Sequence, residues 1–506
     1  MMVVLFYTAL FLAGLAWTRL ARHRLGSVFC FLSAYPLGLL VWVLVSLLLA
    51  LGPLPYDASF SIGALAISSA AALALSRRVD RGGTNPWWAN VAPTGIAVSV
   101  FALLASLAVK FNLSIFTTDS EFIFTIGRSI AHYGEIQIGI DGELTSRGVF
   151  QALVQSASIF LETGYLNAPI ALLAVSTLGT FAYLGWRALD SSLRGMGLAM
   201  LASVALGTTY NILLHTFYIH ENLASGAYLL LSMACFFSAE REREPAWIPF
   251  AFAFLLAFAL QRIENPLPAL LFLTLLFSES HLPLRSLLPW ALAWGGCLEF
   301  WYLWLLAFTG GGEPALRPAP HLLQTTHAYL ILAALPLTFV GILLLRHPRL
   351  GRLQRHLPAL ALGSILLALG IAFFSSPEHM VLSAEAVWRG LSAPFWGWAW
   401  YLAIPLALLS LPMPRVPLSR TLVYGALSYL LVILLMAIAR NPYDGRWADS
   451  ATRMFVHILP LLSFYLLLTY GGSRSLPEPT RSMENDPTTN SEPTPNKDRR
   501  RFFMSL

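Results

Sequence analysis

Long apolar runs alternate with short polar segments along almost the whole chain. At a rise of about 1.5 Å per residue, most of these runs are long enough to cross a bilayer as α-helices. The pattern predicts an all-α fold, a polytopic transmembrane helical bundle of about 13–15 helices. Two short runs, 246–261 and 266–279, also fit a re-entrant pair. The runs lie at about 2–18, 27–51, 60–76, 90–111, 167–186, 196–214, 222–238, 246–261, 266–279, 287–309, 328–345, 357–375, 394–412, 421–439 and 454–471.

Composition excludes a soluble globular protein. Hydrophobic residues make up 57% of the chain and charged residues 11%, and the mean hydropathy is +0.66. The three cysteines, Cys30, Cys235 and Cys297, are far apart inside apolar runs, which indicates neither a disulfide framework nor a zinc site. The net charge of +6 is explained by loops that face membrane lipids, so no nucleic-acid partner is expected.

Basic residues predict the orientation of the bundle, because cytoplasmic loops accumulate Lys and Arg. With the N-terminus outside, the Arg-rich loops fall on the cytoplasmic side together with the C-terminus. Residues 473–506 are rich in Pro, Ser, Thr and charge, and are expected to form a disordered cytoplasmic tail. The predominance of Arg over Lys suits a bacterial cytoplasmic membrane. The residues that fix this orientation are Arg19, Arg22, Arg24, Arg77, Arg78, Arg81, Arg346, Arg349, Arg352 and Arg355.

The longest outer loop, 112–166, holds the most conspicuous polar sequence. From Ser120 onward its apolar residues recur at helical spacing, which predicts a short amphipathic surface helix. Thr118 or Asp119 suits the N-cap of this helix, and Gly134 suits its C-terminal stop. Asp119 and Glu121 would then lie in the first turn, beside the membrane. The plain interpretation is that they only cap the helix and match its dipole.

Other outer segments place charged groups at helix ends. Charge is costly near hydrocarbon, so such residues are expected to face protein or a water-filled cavity. Glu299 is a different case, because it lies well inside an apolar run and suits a buried structural partner or a protonated state as well as a function. Together with Asp119 and Glu121, the candidate site residues are Arg128, Arg147, His220, Glu221, Arg262, Glu264, Asp449 and Arg453.

Four motifs, taken in order, resemble the GT-C superfamily of integral membrane glycosyltransferases. The first is the acidic pair Asp119-Ser120-Glu121 followed by a surface helix that ends at Tyr133-Gly134. The second is an amphipathic stretch over 148–163 that leads into the next span. The third is Arg262-Ile263-Glu264-Asn265-Pro266, at the outer end of a short helix pair. The fourth is Arg453 followed by an apolar helix containing Pro460.

The resemblance implies a division of the chain and a reaction. Residues 1–89 would be additional N-terminal helices, and 90–472 the catalytic core. The family transfers a sugar, with inversion, from a polyprenyl-phosphate donor to a glycan, lipid or protein acceptor at the extracytoplasmic face. It implies Asp119 as the base, with Glu121 second, and Arg262 and Arg453 as phosphate ligands. His220 and Glu221 would shape the pocket. Some members bind Mg²⁺ or Mn²⁺ through such acids, so a metal at Asp119 and Glu121 stays open.

Two alternatives remain at this point. A lipid-linked polysaccharide ligase or polymerase would use Arg and His of a late outer loop, and the loops at 310–327 and 376–393 offer such residues. A transporter or flippase would move a lipid-linked or anionic solute through a cavity lined by Arg262, Glu299 and Arg453. The late-loop residues are Arg317, His321, His327, Glu378, His379, Glu385 and Arg389.

Overall fold

The computed structural model confirms an all-α, polytopic helical bundle. It describes residues 1–52, 54–79, 91–112, 114–136, 148–309, 318–345, 350–412, 416–439 and 453–472. Within these ranges there is no β-strand, and the one β-type contact pairs Ile115 with Tyr218. Arg147 and Asp449, and the tail 473–506, lie outside the described residues.

The first half of the chain contains six long apolar helices, an amphipathic helix, one short helix and a sharply bent pair. The apolar runs form these helices because a helix satisfies every backbone hydrogen bond internally, which a bilayer demands. The helices are α1 (Met2–Thr18), α2 (Ser27–Leu51), α3 (Ala58–Val79), α4 (Val91–Phe111), α5 (Thr118–Tyr133), α6 (Phe150–Phe160), α7 (Pro169–Ala188), α8 (Leu193–Thr208), α9 (Tyr210–Phe217) and α10 (Glu221–Glu242).

Shorter helices are more frequent in the second half, and several begin at proline, which fits the first turn because it needs no N–H donor there. These helices are α11 (Ile248–Gln261), α12 (Pro266–Glu279), α13 (Leu284–Thr309), α14 (Pro318–Leu345), α15 (Gly351–Ser375), α16 (Pro377–Leu391), α17 (Ala399–Ser410), α18 (Ser419–Ala439) and α19 (Leu459–Tyr470).

The protein is an integral membrane protein. Among the described residues, seven helices are long and apolar enough to cross a bilayer, or eight if α8 and α9, bent by 68°, form one broken span. Shorter apolar helices, such as α11 and α12, carry other predicted runs. Each apolar run predicted from the sequence lies on an observed helix or helix pair.

The helix α10 is the axis of the bundle, and its apolar stretch is entirely buried. It packs against α7, α11 and α19, and against the segment Phe455–His457 that precedes α19. Both of its ends carry buried carboxylates, Glu221 and Glu240. Buried carboxylates need partners, because desolvation of an unpaired charge is costly. The surroundings of these two ends therefore reveal where the polar chemistry of the protein lies.

The amphipathic helix α5 forms as predicted, although it begins at Thr118, with Thr117 at the N-cap, instead of at Ser120. Gly134 ends it in the left-handed conformation, as expected. The apolar face of α5 packs against α6. Gly127 makes this contact close, since a Cβ there would lie 2.4 Å from the carbonyl oxygen of Ala152.

One segment expected to be a loop differs from the structure. The segment 376–393, expected to be a loop, contains the helix α16, which begins at Pro377 with Glu378 in its first turn. Residues Met1–Arg474 form one compact unit, and the division of the chain at residue 89 stays a prediction. Within this unit, α1 packs on α2, α3 and α4, and α2 packs on α7.

Candidate functional site

The N-terminus of α5 is fastened to the segment that leads into α10. The backbone N–H of Ile115 donates to the carbonyl of Phe217 at 2.7 Å. The hydroxyl of Ser120, in the first turn of α5, donates to the carbonyl of Ile219 at 2.9 Å. Backbone and side-chain bonds together fix the first turn, so the side chain of Asp119 is held beside Tyr218.

Asp119 contacts a guanidinium from the far end of the chain. Its Oδ2 accepts a hydrogen bond from Nη1 of Arg453, 334 residues away, and another from the Tyr218 hydroxyl at 3.2 Å. The Nε2 of His220 lies 3.8 Å from the same oxygen. Asp119 and Arg453 are 24% and 22% exposed, so water and a ligand can reach both side chains. Thr117, and not Asp119, is the N-cap residue of α5, which disfavours the plain capping interpretation.

A chain of paired ionisable side chains continues from His220 into the protein. Its Nδ1 lies 3.2 Å from Oε2 of Glu221, and Oε1 of Glu221 lies 3.3 Å from Nη1 of Arg262. The Nε of Arg262 donates to Glu264 at 2.6 Å. His220 and Glu221 are only 3% and 2% exposed, so each needs these partners. The sequence-distant acids and arginines therefore form one connected cluster.

Below Arg262 the cluster ends in three uncharged hydrogen-bonding groups. Nη1 of Arg262 donates to Oδ1 of Asn222 at 3.2 Å, and Nε2 of His457 lies 3.1 Å from the same oxygen. The hydroxyl of Tyr429 lies 2.9 Å from Nδ1 of His457. We call this set the Asp119 cluster: Asp119, Tyr218, His220, Glu221, Asn222, Arg262, Glu264, Tyr429, Arg453 and His457.

Nearby carboxylates keep the guanidinium of Arg262 charged. Burial by itself would lower the pKa of the Arg262 guanidinium, but Glu264 and then Glu221 outweigh it, so that pKa is raised. Burial also raises the pKa of Tyr218 above its usual value of 10, so its hydroxyl remains a donor to Asp119 at neutral pH. Arg262 is thus a permanent cation with two carboxylate partners.

The charges of the cluster nearly cancel. Three carboxylates, Asp119, Glu221 and Glu264, face two guanidiniums, Arg262 and Arg453. Both ring nitrogens of His220 face carboxylate oxygens. Both guanidiniums are already paired with carboxylates. A ligand anion can then enter only if an existing pair changes partners.

Several predicted site residues lie apart from the cluster. Glu121 and Arg128 are exposed on α5, and Arg128 lies over the ring of Phe124 at 5.1 Å. Among the residues of the late loops, Glu385 and Arg389 pair with each other on the exposed surface of α16. Glu299 is half-buried in α13. No described contact joins these residues to the Asp119 cluster, while Arg147 and Asp449 lie outside the described residues.

The described acids do not fit a divalent metal. Asp119 and Glu121 are two residues apart on α5 and so point to different sides of the helix. The Oδ2 of Asp119 is engaged by Arg453 and Tyr218. In the described part of the chain no group of three or more His, Cys, Asp or Glu residues is arranged to hold a metal ion. No reaction step is therefore assigned to Mg²⁺ or Mn²⁺.

Four members of the cluster were not predicted as site residues: Tyr218, Asn222, Tyr429 and His457. Tyr218 and Asn222 flank the predicted pair His220-Glu221, and this proximity was the available signal. Tyr429 lies inside an apolar run that gives no such signal. No family model, no curated protein and no solved structure matches the chain. The function must therefore be inferred from the Asp119 cluster itself.

Proposed function

We propose that the protein is an inverting membrane glycosyltransferase that moves a sugar from a polyprenyl-phosphate donor to a glycan, lipid or protein acceptor. The reaction would take place at the extracytoplasmic face of a bacterial cytoplasmic membrane, with the N-terminus outside and the C-terminus inside. The observation that carries the proposal is the contact between Asp119 and Arg453, both partly exposed, at the mouth of a buried polar network. A base and a phosphate ligand side by side are what this reaction requires.

In the proposed step, the acceptor hydroxyl oxygen attacks the anomeric carbon of the donor sugar. The bond from that carbon to the phosphate oxygen breaks, and its electron pair leaves with the polyprenyl phosphate. Asp119 takes the proton of the acceptor hydroxyl. The products are the glycosylated acceptor, the lipid phosphate and a protonated Asp119, which must return its proton to water before the next turnover.

The pairing of Asp119 with Arg453 lowers the electrostatic free-energy cost of this step. Before reaction, the guanidinium of Arg453 balances the carboxylate. As Asp119 gains a proton, Arg453 loses its counter-ion at the moment when negative charge grows on the leaving phosphate. The guanidinium can then stabilise that phosphate with two parallel hydrogen bonds. The proton gained by Asp119 offsets the negative charge gained by the phosphate, so the cluster and the phosphate together keep the same total charge.

Arg453 is better suited than Arg262 to bind the phosphate. Arg262 already has two carboxylate partners, Glu221 and Glu264, so its surroundings carry a net negative charge. Arg453 is 22% exposed, and the carboxylate it pairs with is the proposed base, Asp119. We therefore assign Arg453 to the phosphate and Arg262 to holding Glu221 and Asn222 in place.

The experiment is a transfer assay with purified full-length protein in lipid nanodiscs. A panel of polyprenyl-phosphate hexoses is supplied, and release of lipid phosphate is followed together with glycosylation of an acceptor extract. We expect Asp119→Asn to lower the rate by about 10³-fold or more, because asparagine cannot accept the proton.

Glu121→Gln is the matched control, since Glu121 lies exposed on the same helix and outside the cluster. Its rate should stay within about twofold of wild type if Glu121 is not the base. Equal losses in both variants, or full activity in Asp119→Asn, would remove Asp119 from the role of base. Transport of the donor across vesicles without any transfer would instead favour a flippase.

A further inference from the structure

We infer that Asn222 binds a hydroxyl oxygen of the transferred sugar through its amide nitrogen; this assignment rests on the proposed function and specifies how its donor is recognised. Asn222 begins the buried axis helix α10, directly after Glu221. It is 1% exposed, so any polar atom of its side chain needs a partner inside the protein or from a ligand.

One half of the Asn222 amide is satisfied and the other half is not. Its Oδ1 accepts from Nη1 of Arg262 at 3.2 Å and from Nε2 of His457 at 3.1 Å. Its Nδ2 has no hydrogen-bond partner in the described part of the chain. A buried amide N–H without a partner is costly, which makes it a site for an oxygen acceptor.

The orientation of the amide follows from its neighbours. Both groups near Oδ1 are nitrogen donors, so a flipped amide would place its NH₂ against Arg262 and His457. The proton of His457 must then lie on Nε2, and its Nδ1 accepts from the Tyr429 hydroxyl at 2.9 Å. Tyr429 and His457 are positioning residues that direct the NH₂ of Asn222 away from themselves.

The charged side chains around Asn222 indicate which chemical group of a ligand it binds. Glu221 and Glu264 together carry one more charge than the Arg262 guanidinium between them. An added phosphate would be repelled there, whereas an uncharged hydroxyl oxygen would not. A hydroxyl can also donate its own hydrogen to a carboxylate such as Glu221. The geometry therefore separates two subsites: phosphate at Arg453 and sugar hydroxyls at Asn222.

The test is a thermodynamic cycle that combines a substitution in the protein with the removal of one hydroxyl from the ligand. Equilibrium binding of polyprenyl-phosphate glucose, mannose and galactose, and of their monodeoxy analogues, is measured for wild type and Asn222→Ala in nanodiscs. In wild type, removal of the contacted hydroxyl should weaken binding about tenfold. In Asn222→Ala, removal of the same hydroxyl should have less than a twofold effect, because its partner is already absent.

Asn265→Ala is the matched control. Asn265 is another buried asparagine, but its Nδ2 already donates to Ser225 at 3.1 Å and to the carbonyl of Phe258 at 2.8 Å. Its replacement should leave the tenfold effect of the missing hydroxyl intact. A second pair of variants tests whether His457 orients the Asn222 amide. His457→Gln keeps a donor toward Asn222 and should retain the tenfold effect of the missing hydroxyl. His457→Leu has no donor and should reduce that effect.

Each outcome decides one question. A hydroxyl whose loss matters in wild type but not in Asn222→Ala supports the assignment. Equal losses in both proteins at every position, or no binding of any of the three donors, overturn it. Binding with the expected coupling but without sugar transfer would contradict the proposed function and leave the assignment of Asn222 standing. Transfer without coupling would contradict the assignment alone.

Discussion

The two ends of the axis helix α10 bury carboxylates in different ways. At the far end, Oε2 of Glu240 accepts from the Ser280 hydroxyl and Oε1 from the backbone N–H of His281, both at 2.7 Å. The neighbouring Glu279 accepts from the backbone N–H of Thr421 at 2.7 Å and of Arg420 at 3.2 Å. At the near end, Glu221 is paired with two ionisable side chains, those of His220 and Arg262.

This difference in partners indicates a structural role for the Glu240 end and a functional role for the Glu221 end. Backbone N–H groups are fixed by the helices that carry them, so the Glu240 end joins α10, α12 and α18 rigidly. Side-chain partners can rotate, exchange and change protonation state. The near end also retains an unpaired donor on Asn222 and a partly exposed ion pair. We therefore expect substitutions at the near end to impair activity, and those at the Glu240 end to impair stability.

Among the substitutions that compare the two ends, the largest effect is expected from Arg453→Gln at the near end. Loss of the guanidinium removes the proposed phosphate ligand and the counter-ion of Asp119, so the transfer rate should fall about 10²–10³-fold. Arg389→Gln is the control, because Arg389 also pairs with a carboxylate, Glu385, but on an exposed surface. Its rate should be unchanged, and equal losses in both variants would indicate a nonspecific effect of charge. Both rates are measured as released lipid phosphate per folded protein.

A smaller effect, on stability alone, is expected from Glu240→Gln at the far end. The amide has one acceptor oxygen, so one of its two donors, Ser280 or His281, loses its partner. The cost should be about 2 kcal/mol, measured as a lower unfolding midpoint in detergent. The rate per folded molecule should stay at the wild-type value. A fall in that rate without a change in the midpoint would erase the distinction between the two ends.

The smallest effect is expected from Tyr218→Phe, which removes one donor to Asp119 and should lower the rate about fivefold. The pKa of Tyr218 is raised above the usual tyrosine value, chiefly by burial, so its hydroxyl ionises at a higher pH than that of a free tyrosine. Ionisation of Tyr218 therefore should not limit the rate below pH 10. Rate profiles from pH 6 to 10 should be parallel for wild type and Tyr218→Phe. An alkaline decline in wild type that disappears in Tyr218→Phe would contradict this.

Much of the fold could be predicted from the sequence because a bilayer allows few solutions. Apolar runs of spanning length must be helices, and the amphipathic period from Ser120 predicted the start of α5 to within two residues. The helix α16 was missed because its charged residues, such as Glu378 and Arg389, resemble a polar loop. Its start signals, Ser376 at the N-cap and Pro377 in the first turn, were present.

The site was only partly predictable. Charges at the ends of apolar runs are rare and costly, which pointed to Asp119, Glu221 and Arg453. Sequence does not show which charges pair, because pairing depends on helix packing across hundreds of residues. Tyr429 could not be predicted for the same reason: an uncharged polar residue inside an apolar run gives no signal until its partner is known.

The central claim is that Asp119 and Arg453 act as one unit, and a double-mutant cycle measures this directly. Rates of lipid-phosphate release are compared for wild type, Asp119→Asn, Arg453→Gln and the double variant. If proton transfer and phosphate stabilisation are coupled, the double variant should be about as slow as the slower single variant. A double variant slowed by the product of the two single losses would show independent residues and contradict the account.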